Sequence, residues 1–449
     1  WQVDLFLPTG SAVLFAHGRI VNPSDETRLA YWWTNVAAPM SKGMRVLSPA
    51  DYSIEHVLPG NELARFSDLG PTLSLRLPPY LSYAAGTTDQ PLACNAISHP
   101  DVTAALGLAV VDSFDSDGSD QAASAIVNNA YLVYASAANL YLVQSSFGWW
   151  FDSAQAEETA IYRLALSDTG AAAYQAVGKA DGTVNNSYQL SEFDGQLRVA
   201  STETRIEEDV FTPVSHVTVL DAESTDTMGQ TGVLRDLAPG ETIQSSRFIG
   251  PRGFLVTFRQ IDPLFALDLS DPANPAVADE LKLPGFSSYL MPLGDEFLLT
   301  IGREGTDDGT LTGNLAVQLF DVADIGNISQ IGTPLTPSGA GNGYSYSAAE
   351  YDPHAFSYFP DSEDEPVPGT LSIPLQRWSE SGGSFTGFQV VRVDPAATEA
   401  PLAELALIDH QSLIDEDDPS YNCPPPDSGI LAPCYIYAAE PRRSVFMTD

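Results

Sequence analysis

Residues 254–302 read FLVTFRQIDPLFALDLSDPANPAVADELKLPGFSSYLMPLGDEFLLTIG. The runs Phe254 to Phe258 and Leu264 to Leu269 are rich in the β-branched and aromatic residues that favour strands. Asp271-Pro272 and Asn274-Pro275 are turn formers between such runs. The stretch therefore reads as strand, turn, strand, loop, further strands. With Asp268 as a marker, equivalent positions fall at Asp112, Ala165, Asp221, Asp321 and Asp394, at spacings of 53, 56, 47, 53 and 73 residues. A period near 50 with about four strands per unit is what propeller blades produce, because each unit is too small to bury its own faces and must stack on the next.

The expected fold class is all-β, a β-propeller of about seven four-stranded blades, with six and eight as the neighbouring counts. Residues 1–107 fit the repeat less well and are read as one or two irregular N-terminal blades. Residues 108–449 carry the regular blades, with an insertion at about 336–384 in the 73-residue gap. Within it, the acidic stretch Pro360 to Gly369 is read as a solvated loop. Helix is expected only in short pieces, one of them around Asp120 to Ser124.

Composition narrows the function classes. A chain of 449 residues with 44% hydrophobic content has material for a large core, and its 34 Gly and 33 Pro suit many turns. The formal charge of −39, from 59 acidic against 20 basic residues, repels phosphate backbones, so no nucleic acid partner is expected. Only Lys42, Lys179 and Lys282 are lysines. There is no apolar run of the roughly 20 residues that a membrane span needs. The chain starts at Trp1 without an apolar leader, so an export signal is read as removed or left out.

Among the three cysteines, Cys423 and Cys434 flank the Pro-rich segment CPPPDSGILAPC and are read as a disulfide loop staple, which implies an oxidising compartment. Cys94 is left over. The six histidines are scattered, with no pair at the spacing that puts two imidazoles on one face. His354, in YDPHAF, is read as hydrogen-bonded structure, with a ligand site as the alternative. Asp115, Asp117 and Asp120 surround Gly118 as short acidic side chains do in calcium loops, so calcium is the one cofactor the sequence raises. Solvated turn is the competing reading, because the later bidentate Glu of a full calcium loop is missing. No nucleophile elbow, metal motif or phosphate loop is found. The dense aromatics Trp32-Trp33 and Trp149-Trp150 are each too close in sequence for both members to face one blade interior. Trp149 and Trp150 are the candidate binding residues, with packing between blades as the alternative.

The blocks at Asp236 to Pro275, Leu281 to Asp324, Gly182 to Thr202 and Tyr346 to Pro360 resemble secreted bacterial and archaeal proteins with a C-terminal β-propeller distantly related to WD-repeat propellers. The resemblance covers roughly residues 105–449 and implies fold and export, with no catalytic residues to carry over. Members of that family open with a blade that is absent here and run past a segment like Arg442 to Asp449 into further strands. The expectation is that other residues of the polypeptide, or a neighbouring chain, complete the ring. The leading functional reading is an extracellular or cell-surface scaffold, non-catalytic, that binds protein or copies of itself. The alternatives are a hydrolase acting on polysaccharide or peptide at the channel mouth, and a calcium-dependent adhesion or surface-layer module; carbohydrate is the other partner considered.

Overall fold

The computed structural model describes residues 2–6, 15–19, 52–56, 63–67, 80–82, 86–88, 97–98, 108–113, 122–146, 157–167, 172–207, 210–258, 262–306, 308–338, 343–362, 364–379, 383–410 and 441–444. Two compact units are present, Trp1–Pro78 and Pro79–Asp449. In the first, Gln2–Phe6 pairs antiparallel with Phe15–Arg19, and Tyr52–His56 with Leu63–Ser67. The second contains the repeat.

There, among the described residues, five antiparallel meanders of four strands follow one another along the chain. Sheet 1 is Leu132–Ala135, Asn139–Ser146, Glu158–Ala165 and Ala173–Asp181. Sheet 2 is Leu190–Phe193, Gln196–Glu207, Val210–Asp221 and Gln230–Leu237. Thr242–Ile249, Arg252–Phe258, Asp262–Asp268 and Ala276–Leu283 make sheet 3. Gly285–Leu293, Phe297–Gly305, Leu311–Asp321 and Ser329–Gln330 make sheet 4. In sheet 5 the first strand is split into Tyr344–Tyr346 and Ser357–Pro360, followed by Gly369–Ser379, Gly383–Val393 and Leu402–Asp409. A three-stranded sheet of Ile97–Ser98, Leu108–Ser113 and Ala122–Val127 precedes them. These are the meandering sheets expected of propeller blades.

Two details depart from the sequence reading. Residues 122–127 form a strand against 108–113, so the short helix expected near Asp120 to Ser124 gives way there to sheet pairing. The small residues Ala122, Ala123 and Ser124 are compatible with helix, but propensity is a weak prior beside a pairing partner. The region at 336–384 also holds three strands of sheet 5, and the acidic stretch at 360–369 is the turn joining two of them.

Five of the six marker positions close the third strand of their sheet, Ala165 among them, whereas Asp112 is the penultimate residue of Leu108–Ser113 in the three-stranded sheet. Asp221, Asp268 and Asp321 end their strands and Asp394 follows its own. Their side chains fold back onto the turn: Oδ1 accepts from the N–H of Glu223 at 3.0 Å, Ser270 at 2.9 Å, Ala323 at 3.0 Å and Ala396 at 3.1 Å respectively. A short acceptor two residues before a backbone donor is what makes aspartate the recurrent choice here.

The core lies between sheets, not within them. In sheet 3, Leu264 and Ala266 pack toward sheet 4 with Leu290, Leu298 and Phe320, while Phe265 and Leu267 pack toward sheet 2 with Ala200 and Val217. In sheet 4, Leu298 faces sheet 3 and Leu299 faces sheet 5, where it meets Leu371 and Ile373. Strand alternation thus sends neighbouring residues to opposite interfaces, and a doubly buried strand reads as a continuous apolar run.

Arginines bond across every junction between these five sheets. Arg163 donates to the Ser224 carbonyl at 2.7 Å, Arg198 to Gly250 at 2.5 Å, Arg252 to Val322 at 2.8 Å and Asp295 at 2.7 Å, and Arg303 to Ser345 at 2.6 Å. Sheets 1 and 2 are also joined by Asp226–Met228, which leaves sheet 2 to pair parallel with Ala176–Gly178. Arg198 is buried, flanked by the Phe193 and Phe248 rings, each 5.1 Å from its guanidinium carbon.

Replacing Arg198 with Met keeps the apolar stem and removes the donors to Gly250 and Ser191. The loss leaves half-buried carbonyl groups without their donor, and denaturant titration is expected to show a destabilisation of about 2 kcal/mol with an unchanged m value.

Candidate functional site

The first strand of sheet 5 reads YSYSAAEYDPHAFSYFP from Tyr344 to Pro360, and its middle leaves the sheet. Ser347 caps a 3-10 turn at Ala348–Glu350 by accepting from the Ala349 N–H at 3.1 Å. Asp352 caps a second at Pro353–Ala355, where Pro at the first helical position loses no hydrogen bond. Ala348, Ala349, Ala355 and Phe356 turn inward against sheet 4, which leaves Tyr351 exposed on the other side. The interruption is therefore a small platform, anchored by alanines.

A largely buried ion pair fixes the platform from below. Arg303 Nη2 donates to Glu350 Oε2 at 2.7 Å, while Nη1 reaches the carbonyls of Ser345 and Gly313. Burial pushes the Glu350 carboxyl upward from the ordinary carboxylate range, with the Arg303 charge opposing that rise. Above Arg303 stands the Tyr344 ring, 5.0 Å from the guanidinium carbon. Tyr344 is directly opposite Trp378 in the sheet register, and each is 50% exposed. Gly313, at φ +85°, lies under Tyr344, and a Cβ there would come within 3.3 Å of the ring. The Tyr346 and Tyr351 rings lie 6.0 Å apart. Together these residues make an exposed aromatic surface on a rigid base.

A second group follows the first strands of the sheets. Tyr188, in the 3-10 turn leading into sheet 2, meets Tyr289 of sheet 4 with ring centroids 5.5 Å apart. Arg247 of sheet 3 lies 4.2 Å from the Tyr188 ring centroid and 5.4 Å from that of Tyr289. Tyr289 also packs edge-on against Phe356 of the platform at 5.2 Å. Elements from four consecutive sheets converge here, which is where first strands lie in a propeller.

His216 is fully buried in sheet 2, and its surroundings form a closed polar ring. Nε2 is 3.1 Å from Glu203 Oε2, Nδ1 accepts from the Asp236 N–H at 3.3 Å, and Arg205 bonds both Glu203 and Asp236. The ring spans three strands of one sheet and cross-braces them. His354, by contrast, is exposed, with Nδ1 3.0 Å from Asp352 Oδ1, and Asp352 also accepts from Arg443 at 3.3 Å. Of the two readings of His354, this geometry is the hydrogen-bonded one.

A cavity of about 440 Å³ between sheets 4 and 5 is lined by Phe297, Ile331, Val367 and Pro395 with Asp321 and Asp394 at its wall. Both carboxylates already hold their turns through Oδ1. Among the described residues no group of three His, Cys, Asp or Glu is placed to hold a metal ion. The sequence candidates Asp115, Asp117, Asp120, Trp149, Trp150, Cys423 and Cys434 lie outside the described residues. Sequence reading missed Tyr344, Trp378, Tyr188, Arg247 and Tyr289; the available signal was an arginine inside an otherwise uncharged strand, TIQSSRFI, in a chain with few basic residues.

Comparison with known proteins gives a consistent picture. The family described as "Beta propeller domain" matches over residues 61–449. An uncharacterised protein of Methanocaldococcus jannaschii is 35% identical over 156 residues, 34% of this chain and 23% of the relative. An uncharacterised protein of Archaeoglobus fulgidus is 40% identical over 144 residues, 32% of this chain and 20% of the relative. Each match thus spans less than a quarter of that relative's length. Among solved structures, the β-propeller domain of the Trilobed protease from Pyrococcus furiosus aligns at TM-score 0.31 and 11% identity, covering 62% of this chain and 72% of that one. An apocarotenoid oxygenase of Synechocystis aligns at TM-score 0.33 and 11% identity, covering 51% and 56%.

Two stability predictions follow from the electrostatics. Glu350→Gln leaves Arg303 without its charge partner in a site that excludes most water, and chemical denaturation is expected to show a loss of about 3 kcal/mol. Glu350→Leu combined with Arg303→Met should recover part of it. The carboxyls of Asp221, Asp268 and Asp271 are held below their ordinary range by hydrogen bonds from the turns they close. A depressed folded-state pKa gives stability that is present above the unfolded value and is lost as pH falls through the folded one. Asp268→Asn keeps the turn acceptor without the charge, so its acid-unfolding curve should be shallower than the parent's.

Proposed function

The chain belongs to the beta propeller domain family, and from that premise we propose that it is an exported or cell-surface scaffold that binds protein through the aromatic surface on sheet 5. The observation that carries the reading is the cross-strand pair Tyr344 and Trp378, each half exposed, beside exposed Tyr351. Tyr and Trp bring large contact area at low entropy cost, and interface hot spots concentrate in them. The base beneath them is already fixed by Arg303, Glu350 and the alanine-anchored platform, so little ordering is needed on binding. An acidic surface with three lysines suits an extracellular setting and disfavours nucleic acid and anionic lipid.

The reading is tested with the Tyr344→Ala, Trp378→Ala double variant. Sedimentation velocity reports self-association, and retention of envelope proteins on immobilised chain reports a heterologous partner. Parent retention or self-association that is lost in the variant supports the proposal. Equal behaviour of parent and variant removes it, and retention of polysaccharide in place of protein moves the assignment to carbohydrate binding. Export carries its own test: intact mass before and after reduction should show two hydrogens gained by a Cys423–Cys434 bridge, and free thiols at both positions in native protein would argue against an oxidising compartment.

A further inference from the structure

We propose that Arg247, held between the rings of Tyr188 and Tyr289, is a binding site for a carboxylate. The site shares no residue with the proposed protein-binding surface and does not depend on that reading, although Tyr289 packs against Phe356 of the platform. Arg247 Nε donates to the Leu290 carbonyl at 2.8 Å and Nη2 to the Tyr289 hydroxyl at 3.0 Å. Those two bonds fix the plane of the guanidinium. Nη1 has no acceptor recorded among the described residues and is not among their buried unpartnered atoms, and its two N–H groups are the donors assigned to the ligand.

Arg205, Arg235, Arg303, Arg392 and Arg443 each have a carboxylate within 4.0 Å, whereas no such partner is recorded for Arg247 among the described residues. Arg163 and Arg198 also lack a recorded carboxylate partner among the described residues, but both Nη atoms of each are spent on protein acceptors, unlike those of Arg247. None of the acidic side chains among the described residues pairs with this half-buried cation. Its neighbours also suit an anion. The Tyr289 hydroxyl is pushed up to about 12, chiefly by burial, and so stays neutral across the physiological range while it accepts from Nη2 and holds the guanidinium in place. The flanking rings exclude water from two sides of the guanidinium, which strengthens a charge-assisted hydrogen bond to a ligand oxygen.

The planar guanidinium matches a carboxylate, and the overall field selects among anions. A net charge of −39 opposes a dianionic phosphate more than a monoanionic carboxylate, since the repulsion scales with ligand charge. The carboxylate can come from an acidic sugar or from the end of a peptide.

The test is calorimetric and ligand-observed NMR titration of the full 449-residue chain with galacturonate against galactose, an N-acetyl dipeptide acid against its amide, and inorganic phosphate. Binding of a carboxylate probe, with its neutral counterpart silent and affinity falling as salt rises, is the expected result. The responding pair identifies the sugar or the peptide source. Arg247→Gln should weaken that binding by about tenfold or more, and Tyr289→Phe, which keeps the ring, by a few-fold. If Arg247→Gln fails to fold, Tyr289→Phe decides the matter. The proposal is overturned if no carboxylate binds, if acid and neutral probes bind alike, if phosphate binds more tightly, or if affinity is unchanged in the folded variants.

Discussion

Sheets 1 to 4 of the repeat each bury both faces against neighbouring sheets, and the rest of the structure follows from that constraint. A lone four-stranded sheet of this kind would expose two apolar surfaces. Phe265 and Leu267 would face water on one side and Leu264 and Ala266 on the other. At about 1.5–3 kcal/mol for each large side chain, stacking supplies what a single sheet cannot. The consequence is a strict use of alternation: in Leu298-Leu299, one leucine packs on sheet 3 and the next on sheet 5. A one-residue slip in register would exchange the two interfaces, so strand pairing and sheet stacking specify each other.

Apolar stacking is non-directional, and the polar contacts supply direction. Of the 20 basic residues, 17 are arginines, and four of them reach across the four junctions between the five sheets to main-chain carbonyls of the next sheet. A lysine has one compact charged head; the arginine fork can hold its own sheet and the neighbouring one at once. Arg198 does so, bonding Ser191 within sheet 2 and Gly250 in sheet 3. Scarcity of lysine therefore has a structural counterpart. In an acidic chain the few cations are concentrated where carbonyls at sheet junctions need donors.

This division explains what could be read from the sequence. The marker aspartates Asp221, Asp268, Asp321 and Asp394 were legible because each closes a third strand by a local bond to a residue two positions on, a relation contained within a few residues. The continuous runs PLFAL and NLAVQLF were legible because double burial requires them. The strand at Ala122–Val127 was not, since it is fixed by pairing with Leu108–Ser113. The platform in sheet 5 was hidden for a similar reason. Its two caps are local, but the burial of Ala348 and Ala355 is decided by sheet 4. Trp378 and Tyr344 are 34 positions apart, and only the strand register makes them neighbours.

The same constraint indicates where function can reside. Second and third strands have both faces committed to packing, as the buried runs of Leu298 to Ile301 and Leu315 to Phe320 illustrate. Substituting a ligand-binding group there would open a sheet junction. First strands and the turns that lead into them are under weaker demand, because one edge of the sheet lacks a neighbouring strand. The exposed pattern of Leu132–Ala135, the departure of residues 347–356 from sheet 5, and Arg247 between its two tyrosine rings all occur on such strands. Variation there alters the presented chemistry while leaving the stacked strands intact, which is how one packed architecture can carry different binding surfaces.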